Sequence, residues 1–221
     1  MKDNIDKLVV DGVTIQDPNR IDIRGNLKCG SGVNIDINVI FEGEVFLGDN
    51  VKIGANCIIS NSDIGDNTVV KPFSMIEGAQ IGADGFVGPF GRIREGTVVG
   101  NKTQLGNFVE IKNVRIGDGC RINHMTFLGD SVLGDNVTIG AGSITCNYDG
   151  KTSQKTVIEE NVFIGSGTNL VAPLKVGSDA TIGSGSTITE DVPRGKLTLA
   201  RSRQITIDNW DGSTEKPKGE Q

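Results

Sequence analysis

The chain has 221 residues and a formal net charge of −6, which suits one domain or one elongated module and excludes a general nucleic-acid surface, since that needs a basic field. No apolar run approaches the roughly 18–20 residues that cross a bilayer, and no signal-peptide pattern follows Met1, so a cytoplasmic protein without a membrane segment is expected. Cys29, Cys57, Cys120 and Cys146 form no CxxC pair and read as scattered reduced thiols. Glycine, at 31 residues, stands at about twice its usual share of roughly 7%, with one Trp and one Tyr; this means either low complexity or a tightly repeated backbone.

Residues 1–28 precede any clear repeat and read as an N-terminal linker or cap. From Cys29 an aliphatic residue followed by glycine recurs at six-residue steps, as in LGDNVK–IGANCI, IGDNTV, IGADGF, LGDNVT and VGSDAT–IGSGST. The anchors run Cys29, Ile35, Phe41, Leu47, Ile53, Ile59, then through Ile64, Ile76, Ile93, Ile111, Ile122 and Leu128 to Thr145, and resume from Ile158 to Ile188. This period fits neither a long helix nor a half-buried strand. It fits a parallel β-helix of triangular section over 29–190, about nine coils of three hexads each, with anchors stacked inward. Aromatic rings do not fit repeatedly inside so thin a prism. The glycine beside an anchor serves the corner, where a side chain would crowd the backbone. The GDN triplets at 48–50, 65–67 and 134–136 read as turns in which Asp and Asn bond their own backbone. The GGxGxD calcium pattern is absent.

Stacking converts spacing into proximity. Arg94 follows anchor Ile93 and Lys112 follows anchor Ile111 one coil later, so their backbones are expected about 5 Å apart on one edge. Such a pair either brackets an anion or reaches apart into water. His124, the only histidine, lies within one coil of Lys112 on a neighbouring face, in register with Asn107 and Ala141. A basic pair near a lone imidazole suggests a phosphorylated substrate beside a general base; a structural histidine is the alternative. The polar insertion CNYDGKTSQKT, 146–156, interrupts the prism and holds the only tyrosine. A loop leaving a rigid rod can close over a ligand, reach another subunit, or be a tolerated excursion. The tail from 191 to 221 reads as a cap whose last stretch, DGSTEKPKGEQ, is frayed.

GPFGRIREG, LGNFVEIKN, NHMTFLGD, IGAGSITCNYDG and LVAPLKVG occur in this order. From about Leu8 to Trp210 the chain resembles the acetyltransferase domain of the bacterial bifunctional uridyltransferase/glucosamine-1-phosphate acetyltransferases. The family's nucleotidyltransferase domain, with its glycine-rich loop, has no counterpart here, so uridyl transfer is not expected. The resemblance implies a left-handed parallel β-helix, a homotrimer with active sites between subunits, and acetyl transfer from acetyl-CoA to the amine of glucosamine 1-phosphate, for the cell-envelope precursor UDP-N-acetylglucosamine. It implies that Arg94 and Lys112 hold the sugar phosphate and that His124 is the catalytic base. It further implies acetyl-CoA contacts from Ala141, Asn147, Tyr148, Ser166, Ser184 (an alanine in the family) and Arg201.

Three positions depart from the family pattern. Phe127 stands where a tyrosine contacts the sugar phosphate, Thr138 replaces an asparagine that contacts the acceptor, and Ser153 stands where the loop offers a lysine, flanked by Lys151 and Lys155. The alternatives are a hexapeptide acetyltransferase with a different amino-sugar acceptor and a non-catalytic trimeric scaffold. A zinc carbonic anhydrase of the same β-helix type gathers three histidines at a subunit boundary, two from one chain. One histidine excludes it, and no metal is expected.

Overall fold

A computed structural model describes residues 2–210. After the helix Lys2–Val10 the described chain is almost entirely short parallel strands wound into coils. Each coil passes through three faces. The first face carries Lys52–Ile53, Val69–Val70 and Phe86–Val87; the second carries Met75–Glu77 and Arg92–Ile93; the third carries Gln80–Ile81 and Val98–Val99. Register runs coil to coil at offsets set by the repeat, with Ile35 opposite Ile53, Ile53 opposite Val70, and Ile93 opposite Ile111. The anchors point inward and are buried in one continuous apolar column, each fully buried Ile or Leu contributing roughly 1.5–3 kcal/mol. Gln104–Ile116 and Arg121–Leu133 are strands of 13 residues that bend over all three faces and pair along their length.

The ladder extends beyond 29–190 at both ends. Thr14–Ile15 pairs with Asn34–Ile35, and Ile21–Cys29 pairs with Val39–Leu47. A 3-10 turn at Pro18–Arg20, N-capped by Asp17, breaks the six-residue count there. The cap proper is the helix, whose Ile5 and Leu8 close the lower end of the core. At the upper end Val192 bridges Val176 and Leu197–Thr198 pairs with Thr181–Ile182. The stretch expected to fray, 211–221, lies outside the described residues.

The corners differ from the sequence reading in one respect. The Asp of each GDN triplet does not bond its own turn: Asp66 Oδ1 accepts from Asp49 N (2.8 Å), and Asp135 Oδ1 accepts from Asp118 N (2.8 Å). The following Asn is left-handed (φ 57° at Asn50, Asn67 and Asn136) and donates to the next coil. The resulting side-chain ladders run Asn50→Asn67→Asp84 and Asn136→Asn161→Asp179. Backbone polar groups at the corners are thereby satisfied between coils, because neighbouring coils approach too closely for water. A Cβ added at Gly65 would stand 2.7 Å from the carbonyl carbon of Gly82, so glycine is required by the neighbouring coil. Most phenylalanines lie outside the prism, Phe41 being buried within it. Phe73, Phe90 and Phe108 stack at 5.2 and 5.1 Å along the corner between the first and second faces, each about half exposed.

Candidate functional site

Arg94 and Lys112 stand at the corner between the second and third faces, brought into line by the Ile93–Ile111 register, and Lys112 pairs in turn with Gly129. Two carboxylates neutralise them: Arg94 Nη1 lies 3.0 Å from Glu110 Oε1, and Glu95 Oε1 lies 3.8 Å from Arg94 Nη2 and 4.0 Å from Lys112 Nζ. Arg94 Nε is buried without a partner. This corner forms one wall of an open cavity of about 560 Å³, lined also by Phe127, Gly129, Asp130, Cys146, Asn147, Tyr148 and Ser153. Gly129 makes room for two of these, since a Cβ there would stand 3.2 Å from the Phe127 ring and 3.4 Å from Asn147 Oδ1.

The insertion supplies the opposite wall as a small hairpin with a Tyr148–Ser153 bridge. Asn147, only 6% exposed, holds its base: Nδ2 donates to Gln154 O (2.9 Å) and to Thr156 Oγ1 (3.3 Å). Its Oδ1 has no partner. At the tip Asp149 accepts from the amides of Lys151 and Thr152, both at 2.8 Å, which holds its carboxyl below the usual range. Tyr148 is exposed. Asn147 and Tyr148, expected on the donor side, therefore face the same cavity as Arg94 and Lys112.

The second group lies one prism face away, at the corner between the first and second faces. Register places Asn107 beside His124, and the Ile122–Ile139–Ile164–Ile182 ladder continues that column through Ala141, Ser166 and Ser184. Gly167 N donates to Ala141 O and Gly185 N to Ser166 O, both at 2.8 Å, and Arg201 Nη1 reaches Ser184 O at 2.9 Å. His124 is exposed, and its Nδ1 lies 2.7 Å from Asn107 Oδ1. An amide oxygen only accepts, so Nδ1 carries a proton, and in the neutral ring Nε2 is left to present its lone pair. Thr138 sits on the first face between Arg121 and Phe163, on the His124 side and away from the cavity.

The expected residues thus form two groups. Arg94, Lys112, Phe127, Asn147 and Tyr148 share the cavity. His124, Ala141, Ser166, Ser184, Arg201 and Thr138 share the other side. His124 and Gly129 are five residues apart on one extended strand, about 16 Å along the chain. The sequence reading missed Asn107 as the partner of the imidazole and the carboxylates Glu95, Glu110 and Asp130. A coil offset of 17 residues from His124 identifies the first.

Two family models match parts of the chain: the GMPPB C-terminal domain over residues 23–114 and the bacterial transferase hexapeptide (six repeats) over residues 155–190. The second fits the left-handed winding expected of these coils. The bifunctional protein GlmU of Janthinobacterium sp. (strain Marseille) is 52% identical over 203 residues, 92% of this chain and 45% of that protein. That of Aromatoleum aromaticum is 50% identical over 214 residues, covering 97% and 47%. That of Cupriavidus pinatubonensis is 52% identical over 212 residues, covering 96% and 47%. The chain spans a little under half the length of these relatives.

Proposed function

From its place among hexapeptide-repeat homologues of the bifunctional GlmU proteins, we propose that this chain is an acetyl-CoA-dependent N-acetyltransferase acting on glucosamine 1-phosphate. The product, N-acetylglucosamine 1-phosphate, feeds the making of UDP-N-acetylglucosamine, and the enzyme works in the cytoplasm. The observation that carries the reading is His124, with Nδ1 committed to Asn107 and Nε2 free beside the Ala141–Ser166–Ser184 column.

In the proposed reaction the sugar amine attacks the thioester carbonyl and His124 Nε2 takes its proton. A C–N bond forms, the C–S bond breaks, and the leaving thiolate is reprotonated. A backbone N–H near Ala141 stabilises the developing oxyanion; Gly142 N is already spent on His124 O at 3.3 Å, which leaves Ala141's own N–H. Arg94 and Lys112 bind the phosphate dianion in place of Glu95 and Glu110.

A base and an anion site separated by one face of a rigid prism cannot meet on one small sugar phosphate within a single chain. That separation favours a site shared between two chains, and the family resemblance implies a homotrimer, in which the His124 corner of one chain would face the cavity of its neighbour. The exposed Phe73–Phe90–Phe108 stack, running into the His124 corner, supplies apolar surface for such contact. Phe127 brings a ring and no hydroxyl to the cavity, which favours a second reading in which a related amino-sugar phosphate is the better acceptor. His124→Ala is expected to fold and assemble while losing roughly 10²–10⁴-fold in turnover, followed as thiol release from acetyl-CoA. Near-native release would remove the base assignment, and a panel of amino-sugar phosphates decides between the acceptors.

A further inference from the structure

The hairpin 146–156 is joined to the prism at few points. Its two ends enter the ladder, where Ala172 N donates to Cys146 O (3.0 Å) and Leu174 N to Lys155 O (3.2 Å). Between them, the Asp149 cap, the Gln154 N to Asn147 O bond and the Asn147 Nδ2 bond to Gln154 O close the hairpin on itself, while at its base Asn147 Nδ2 also reaches Asp130 O at 3.5 Å. Among the described residues, one hydrogen bond ties 148–154 to the prism outside the loop: the Ser153 hydroxyl donates to Asp130 Oδ2. Asp130 is itself fixed at its coil corner, since Asn113 Nδ2 donates to its other oxygen. A short hairpin held at its base and, beyond the base, by one strut takes both its angle over the cavity and its resistance to local opening from that strut.

We infer that Ser153 and Asp130 form a latch, and that both are positioning residues for the proposed site. The latch sets where Tyr148 stands beside the cavity that Asn147 also lines. It also forms the partition between that cavity and the neighbouring groove, which Asp130 and Ser153 line together with Arg115 and Lys155. A serine is short enough to reach Asp130 directly from the hairpin's edge. The loop thereby contributes an orienting hydrogen bond at this position, where the resemblance leads one to expect a cationic ligand contact.

The structural part of the inference stands without the proposed acetyl transfer; only its kinetic consequence rests on that reading. The test compares Ser153→Ala and Ser153→Thr with the native chain by amide hydrogen exchange over residues 149–154 and by initial rates. Ser153→Ala is expected to speed exchange at these amides about tenfold, the equivalent of one charge-assisted hydrogen bond of modest strength, while Ser153→Thr, which keeps the hydroxyl, restores protection. In the rates, Ser153→Ala is expected to raise the acetyl-CoA KM several-fold and leave kcat within about twofold, as loss of positioning rather than of chemistry requires. Unchanged exchange in Ser153→Ala overturns the latch, as does faster exchange that Ser153→Thr fails to rescue. Native protein that transfers no acetyl group, with the exchange pattern as stated, overturns the proposed function and leaves the latch standing.

Discussion

At one corner of the prism Asn107, His124, Ala141, Ser166 and Ser184 form a column at the surface, with Arg201 reaching Ser184 O at its upper end. At the next corner Arg94, Lys112 and Asp130 line a cavity that a hairpin closes from the far side. Both corners follow an inward anchor and share one coil geometry, so the backbone does not distinguish them. The difference comes from what stands just beyond the anchor and from a single insertion. A repeat scaffold therefore places chemistry by column, and groups in different columns are held apart by the width of a face. Rigidity that fixes each group well also prevents the two from meeting inside one chain.

The largest expected effect tests that separation. His124→Ala and Lys112→Ala are each expected to be nearly inactive. Unfolded and reassembled together as a homotrimer, they should recover about a quarter of native turnover, because a random mixture then contains that share of sites with both residues intact. A mixture as inactive as its parents would place both groups on one chain. A smaller effect sharpens the role of the His124 column: Asn107→Ala frees the His124 tautomer and is expected to lower kcat about tenfold with the acceptor KM unchanged. An equal rise in KM would move Asn107 to binding.

The smallest effect belongs to the walled corner. The Ser153 hydroxyl, the Asn113 amide and nearby Lys112 hold the Asp130 carboxyl below its ordinary value. The latch is therefore complete above the usual aspartate range and is lost as pH falls through the lowered value. Lys112, Arg115 and Lys155 lie around it, with Glu95 beside Lys112. Native exchange over 149–154 should match Ser153→Ala at acid pH and diverge from it near neutrality, after correction for intrinsic rates. A constant ratio across that range would detach the latch from Asp130's charge.

The prism was readable because its anchors recur at six residues and must be buried, so periodicity alone located the core and the stacking of Arg94 over Lys112. The first coils escaped notice because the turn at Pro18–Arg20 interrupts the count between Ile15 and Ile23, although the strands on either side stay in the ladder. Corner bonds were assigned within a turn when they run between turns, since spacing along one coil says nothing about how closely the next one lies. His124 was correctly placed on a face neighbouring Lys112. What spacing could not supply was the hairpin's angle over the cavity, which depends on one side-chain contact between residues 23 positions apart.

The amide ladders along the corners have a direction. In three of them an asparagine donates to the coil above and the last member is an aspartate, Asp84, Asp130 or Asp179, which has no hydrogen to pass on, whereas Asn38 donates to Asn56. Asparagine at this position can therefore carry a ladder onward, and aspartate ends it. A coil copied into the middle of such a run extends it without penalty only if it carries the amide; one copied with the acid sets two acceptors face to face. The choice between two nearly isosteric residues therefore sets where a side-chain ladder runs on and where it stops, while the rod itself continues.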